Sequence, residues 1–256
     1  MKAKNIELIK VSVMELKYCL PCKVVVCGDS ISAGVCFDEK ENKYIKLKDN
    51  FVGLLQSSLN CVVTNISRFG NTVTTALPKL NRNMDKEKPD IVLIELGGND
   101  CDYKWEQVAE NPQGEHNPIT DIEVFESSLV NLVDGLRSKD IEPVMMTLPP
   151  IDADKYFQWI SKSNADTGSK ILEWLGSVTR IYWWHEKYNA AVLKVVENSR
   201  SSCIDVRSAF LNTPDFRRLI CKDGIHPNQE GQRLISDTIY KYLHTNYPVL
   251  LKPATV

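Results

Sequence analysis

Short runs of β-branched and aliphatic residues alternate with longer stretches of helical apolar spacing, and this alternation limits the folds open to the chain. Lys23 to Cys27, Asn60 to Ser67, Asp90 to Leu96, Pro143 to Leu148 and Ser202 to Val206 read as strands, with Asp90 to Leu96 the clearest. Residues 48–59, 72–84, 121–139, 182–198 and 228–243 read as helices; in the third, Ile122, Phe125, Leu129, Leu132, Val133 and Leu136 trace one face. Strands alternating with helices predict an α/β protein whose mainly parallel sheet is covered on both faces. Ligands of such sheets bind beyond the carboxyl ends of the strands, which directs attention to those ends.

No Gly/Ser or Pro tract, repeat or low-complexity block divides the 256 residues, so a single domain over 1–256 is expected. The 31 Lys+Arg against 33 Asp+Glu leave a net charge of −2, without the basic footprint of a nucleic-acid binder or a polybasic membrane anchor. No apolar run reaches the roughly 18 residues of a membrane span. Glu7, Lys10, Glu15 and Lys17 interrupt the N-terminus where a secretory signal needs an unbroken apolar stretch, so the expected location is cytoplasmic. There the eight cysteines are expected to be reduced and to pack as small hydrophobes. Cys19-Leu-Pro-Cys22 has the spacing of a redox or zinc knuckle, but it precedes a strand rather than opening a helix, and no second Cys or His pair completes a zinc set. Nothing in the sequence asks for a metal or a cofactor.

Segments 101–120 and 149–180 lack a place in the alternation, and both follow strand ends. They are expected to be lid or pocket insertions, because loops that long in one domain usually serve binding. Trp105, Tyr156, Trp159 and Trp183 are the candidate pocket walls, with Phe157, Trp174 and Trp184 in or beside the same segments.

The first strand ends in Gly28-Asp29-Ser30, which puts a serine on a strand-to-helix turn at the sheet's rim. Serine becomes a nucleophile only when a base removes its proton, and near neutral pH that base is most often histidine. Of the four histidines, His116 sits in a polar loop, His185 on a helix beside two tryptophans where packing explains it, and His244 on the last helical turn. His226 opens the last helix in Asp223-Gly224-Ile225-His226-Pro227, where Asp223 can fix the tautomer of the ring. Asn99, in Gly97-Gly98-Asn99-Asp100, offers an amide donor at the end of the strongest strand, and Gly70 a backbone N–H at another. An oxyanion on an attacked carbonyl needs two or three such donors.

In these four blocks, which follow along the chain as Gly28-Asp29-Ser30, Gly70, Gly97-Gly98-Asn99-Asp100 and Asp223-Gly224-Ile225-His226-Pro227, it resembles the SGNH hydrolases, also called the GDSL esterase/lipase family. The resemblance spans residues 28–227 and implies a flavodoxin-like three-layer α/β/α sandwich. It implies a nucleophile at Ser30, His226 as base, Asp223 orienting it, and an oxyanion hole formed by Ser30, Gly70 and Asn99. Gly28, Asp29, Gly97, Gly98 and Asp100 would support the site. Ile31 stands where the name-giving motif has leucine, a change that keeps the position apolar. The first 22 residues lie outside the match as an N-terminal extension, an added edge strand or a contact between copies in a homo-oligomer.

An α/β-hydrolase elbow is disfavoured because Ser32 occupies its final glycine position. Asp29 and Asp100 read as turn-holding groups rather than a glycosidase pair. The expected activity is hydrolysis of small carboxylic esters, of short-chain acyl or acetylated-carbohydrate type, through an acyl-enzyme on Ser30. Acyl transfer from the same site and a non-catalytic ligand-binding protein are the alternatives; the expected partner in each case is a small molecule, not a nucleic acid or a membrane.

Overall fold

The computed structural model describes residues 22–252. The strands in chain order are β1 (Cys22–Gly28), β2 (Val35–Asp38), β3 (Lys43–Lys46), β4 (Cys61–Asn65), β5 (Ile91–Glu95), β6 (Glu142–Met146) and β7 (Ser202–Ile204). The helices are α1 (Phe51–Ser58), α2 (Val73–Glu87), α3 (Trp105–Glu110), α4 (Ile122–Arg137), α5 (Ala153–Ile160), α6 (Ala165–Leu175), α7 (Thr179–Ser199), α8 (Val206–Leu211) and α9 (Gln229–Asn246).

Five strands form a sheet in the order β4-β1-β5-β6-β7, and every pairing in it is parallel. The strands are apolar on both sides because both sides are covered. Val25, Cys27, Val92 and Ile94 pack with Val73, Leu80, Phe125, Leu129 and Val192 of α2, α4 and α7. Val24, Val26, Ile91 and Leu93 alternate with them and face Phe51, Leu55, Phe210, Ile235 and Ile239 of α1, α8 and α9. The two layers of helices make this a three-layer α/β/α sandwich. Strand order reverses beside β1, so the crevice beyond the carboxyl ends of β1 and β5 is the topological switch point. Ser30 and Asn99 follow those two ends.

Three local features depart from the sequence reading. Residues 35–46 form the antiparallel hairpin β2–β3, which lacks an alternating apolar pattern because most of β3 is exposed. The segment 149–180 is not loop but α5, α6 and the start of α7, with Asp152 and Asn164 accepting the N–H of Lys155 and Thr167 as N-caps. Val206 opens α8 instead of ending β7, because Asp205 caps that helix.

Cys22 is buried in β1, and the seven cysteines of the described region are free thiols. Cys19 and most of the 22-residue extension lie outside the described residues.

Candidate active site

Ser30 sits on a turn tied down from both sides. The carbonyls of Asp29 and Ser30 accept from the N–H of Ala33 and Val35 at 2.9 Å, and Asp29 Oδ1 accepts from the N–H of Ile31 at 2.9 Å. Gly28 is required by close approach: a Cβ there would stand 2.7 Å from the Glu95 carbonyl oxygen and closer still to the Ser32 hydroxyl.

His226 and Asp223 share the loop that opens α9. Asp223 Oδ1 accepts from the N–H groups of Ile225 and His226, at 3.1 Å each, which closes the turn. Its other oxygen, Oδ2, lies 2.5 Å from His226 Nδ1. A carboxylate accepts, so Nδ1 carries the proton and Nε2 is free to accept from Ser30 Oγ, 2.8 Å away. The three side chains are nearly dry, with relative exposures of 6% (Ser30), 2% (His226) and 0% (Asp223). Burial pushes the Asp223 carboxyl up, but the hydrogen bonds and charge of His226 outweigh it and hold the group below the usual carboxylate range.

The donor groups come from three strand ends. Asn99 Nδ2 donates to Asp29 Oδ2 and to the Asn71 carbonyl, both at 3.1 Å, and Asn71 Nδ2 donates to the Gly28 carbonyl at 3.0 Å. Both neighbours of the Asn99 nitrogen are acceptors, which fixes its orientation. Gly70 has a φ of +74°, a left-handed conformation that favours glycine. The backbone N–H groups of Ser30 and Gly70 donate to no protein acceptor among the described residues. Asp100 accepts from the Val73 N–H at the start of α2, anchoring the turn after β5; burial pushes its carboxyl up to about 6.

Beneath the serine lies a buried carboxyl pair that motif reading passed over. Glu95 ends β5 and is fully buried beside Asp29. Its Oε2 accepts from Ser32 Oγ at 2.7 Å, while Oε1 has no protein donor. Burial first, and then the charge of Asp29, hold Glu95 well above the usual carboxyl range; Asp29 is also raised, by burial. The signal was present in the sequence, since Glu95 is the one charged residue within Ile91 to Leu96.

From Ser30 and Asn99 a chamber of about 190 Å³ runs under the helical cap. Tyr103, Trp105, Tyr156, Trp174 and Trp184 are among its walls, with ring centroids 5.0 Å apart for Tyr103–Trp174 and 5.6 Å for Tyr103–Trp184. Asp102 locks two of these rings, accepting from Trp105 Nε1 and Tyr156 OH at 2.7 Å each.

Of the four expected wall residues, Trp105 and Tyr156 line the chamber and two do not. Trp183 is 54% exposed, because consecutive helical residues point about 100° apart and Trp184 takes the inward position. Trp159 packs instead against Phe37 and Tyr44 of the β2–β3 hairpin, at 4.7 and 6.0 Å between centroids. Tyr44 and Phe69 in turn flank the His226 ring, at 5.3 and 6.0 Å. His116 and His185, assigned to loop and packing roles by the sequence, both line the chamber.

The fold and these turns define a class. Residues 26–234 match the model of the GDSL-like lipase/acylhydrolase family, and the chain belongs to that family. The family is described as one of lipases and acylhydrolases. Over 78 residues it is 38% identical to an arylesterase of Vibrio mimicus, a stretch covering 30% of this chain and 38% of that protein. The lipase/acylhydrolase of Enterococcus faecalis shares its fold, with a TM-score of 0.63 at 22% identity over 92% of this chain and 100% of the other. So does the psychrotrophic esterase EstA of a Pseudoalteromonas species, with a TM-score of 0.56 at 18% identity over 87% and 97%.

Proposed function

We propose that the protein is a serine esterase acting on small carboxylic esters, of short-chain acyl or acetylated-carbohydrate type, through an acyl-enzyme on Ser30. The observation that carries this reading is the continuous relay from Ser30 Oγ to His226 Nε2 at 2.8 Å and from His226 Nδ1 to Asp223 at 2.5 Å. Ser30 Oγ attacks the ester carbonyl carbon as His226 takes its proton, and Asp223 stabilises the imidazolium that forms. The oxyanion receives the unpartnered N–H groups of Ser30 and Gly70. It also takes an N–H of Asn99 in place of one of that amide's two 3.1 Å bonds. His226 then protonates the departing alcohol, and a water activated by the same ring releases the acid. Chamber size supports small substrates. A closed protein cavity of about 150 Å³ holds one benzene ring, and 190 Å³ accommodates a ring or a short chain rather than a long lipid tail.

The test is a panel of 4-nitrophenyl esters of increasing acyl length and of acetylated sugars, run on the parent and on Ser30→Ala. The variant should lose kcat by about 10⁴-fold or more and should no longer be labelled by a phosphonate directed at active serines. Hydrolysis by Ser30→Ala at the parental rate would overturn the reading.

A further inference from the structure

We propose that His185 is a substrate-binding donor, and that the ester accepted by this site carries an acceptor oxygen (ether, hydroxyl or carbonyl) besides those of its scissile group. This rests on the Ser30 reading and names a chemical feature of the substrate it would act on. His185 lies on α7, is 4% exposed and lines the chamber. Its Nδ1 is 3.4 Å from Arg207 Nη1. A guanidinium only donates, so Nδ1 must accept, and the single proton of the neutral ring is on Nε2. Burial, and then the Arg207 charge, hold the ring's pKa down at about 3, so it stays neutral wherever an esterase works. Among the described residues no protein acceptor meets Nε2–H.

The arrangement behind the ring is rigid. Arg207 is buried on α8, donates through Nη1 to the Leu148 carbonyl at 3.1 Å, and receives support at its backbone N–H from Thr147 Oγ1 at 2.8 Å. Its Nη2 stands 2.5 Å from Glu186 Oε2, an ion pair outside hydrogen-bonding alignment. Nothing about packing demands a buried cation fixing the tautomer of a buried imidazole, since a phenyl ring would fill the space without an ion pair to desolvate. A donor that faces an apolar chamber without a protein acceptor is completed by a ligand oxygen. The surrounding faces of Tyr103, Trp105 and Trp174 suit the apolar remainder of such a group.

The test compares esters that differ by one ether oxygen in place of a methylene. On the acyl side these are 4-nitrophenyl methoxyacetate against butyrate, 3-methoxypropanoate against pentanoate, and 4-methoxybutanoate against hexanoate. On the alcohol side they are 2-methoxyethyl against butyl acetate and 3-methoxypropyl against pentyl acetate. Each ratio of kcat/KM is divided by the ratio for hydroxide-catalysed hydrolysis, which removes intrinsic reactivity. The parent should favour the ether member about tenfold in at least one pair. The side on which that pair lies says whether acyl or alcohol enters the chamber. His185→Phe should bring the corrected ratio close to one, and His185→Gln, whose amide keeps a donor near the Nε2 position, should restore part of it. His185→Met replaces the Phe variant if that one does not fold. Corrected ratios near one for the parent in every pair, or an ether preference that survives in the Phe or Met variant, overturn the proposal. If Ser30→Ala is inactive while the ratios are flat, only the role of His185 falls; if Ser30→Ala is active, the esterase reading falls first.

Discussion

The strand-end cluster around Ser30 and the helical wall facing it are built from different kinds of contact. At the strand ends each turn is closed by a backbone group or a neighbour two or three residues away, as in the Asp29–Ile31 and Asp223–His226 turns, and a few side-chain bonds such as Asn99–Asp29 and Ser30–His226 join the turns. The wall is assembled from α3, α6 and α7, whose aromatic rings meet only because the cap folds back over the sheet. Short covalent tethers fix the reacting atoms within small tolerances, whereas packed rings set shape and polarity over a larger volume. Groups of the first kind should act on the transition state, and those of the second kind on binding.

Three substitutions can break or sharpen that contrast. The largest effect is expected at Asn99→Ala, which should lower kcat by about 10²–10³ with little change in KM, measured by steady-state kinetics on one activated ester. A rise in KM at unchanged kcat would move Asn99 from the reacting end to the binding wall. Trp174→Ala should behave in the opposite way, raising KM by about tenfold, an aromatic contact's worth, while kcat moves by only a few-fold. A comparable loss in kcat would erase the distinction between the regions.

The smallest effect tests the carboxyl pair beneath Ser30. Burial and Asp29 raise the Glu95 pKa above its ordinary value, so between the two values the folded chain holds a proton that the unfolded chain has released. Stability therefore falls as pH rises above about 4.5 toward the raised value. Glu95→Gln does not titrate, so its thermal midpoint should decline less than the parent's between pH 5 and pH 8, by on the order of a few °C. Asp29 and Asp100, also raised by burial, contribute slopes of the same sign; because Asp29 interacts with Glu95, the difference between the two curves reports the Glu95–Asp29 pair. Parallel curves would remove Glu95 as the proton holder.

Much of the sheet was legible because a doubly covered strand must be apolar on both faces, and Ile91 to Leu96 satisfies this except at Glu95. The five parallel strands fall where β-branched runs predict them. The hairpin at 35–46 was not legible, since exposed strands carry little apolar alternation. The helices of 149–180 were hidden by aromatic residues whose burial against α3 and α7 stabilises them more than their own helix propensity. Asp152 and Asn164, as caps, were the available signals. Trp159 and Trp183 show a further limit: a tryptophan announces burial somewhere, but helix phase and the position of the hairpin decide which surface it meets.

The sequence by itself determined the strand-end turns, because each is closed by hydrogen bonds among residues at most a few positions apart: the Asp29–Ser30 turn, the Asp223–His226 pair and the Gly97–Asp100 turn. It also determined that the sheet would be parallel and covered. Only the tertiary structure decided that Ser30 and His226, 196 residues apart, stand within a hydrogen bond, and that Glu95 lies under Asp29. It alone placed Arg207 behind His185, fixing a tautomer that no local pattern encodes. The reason is one of range: local turns are specified by side chains that reach their own backbone. A chamber lined by residues of α3, α5, α6 and α7, of the loops after β1, β5 and β6 and of the loop that opens α9 exists only once the apolar faces of those helices have found one another.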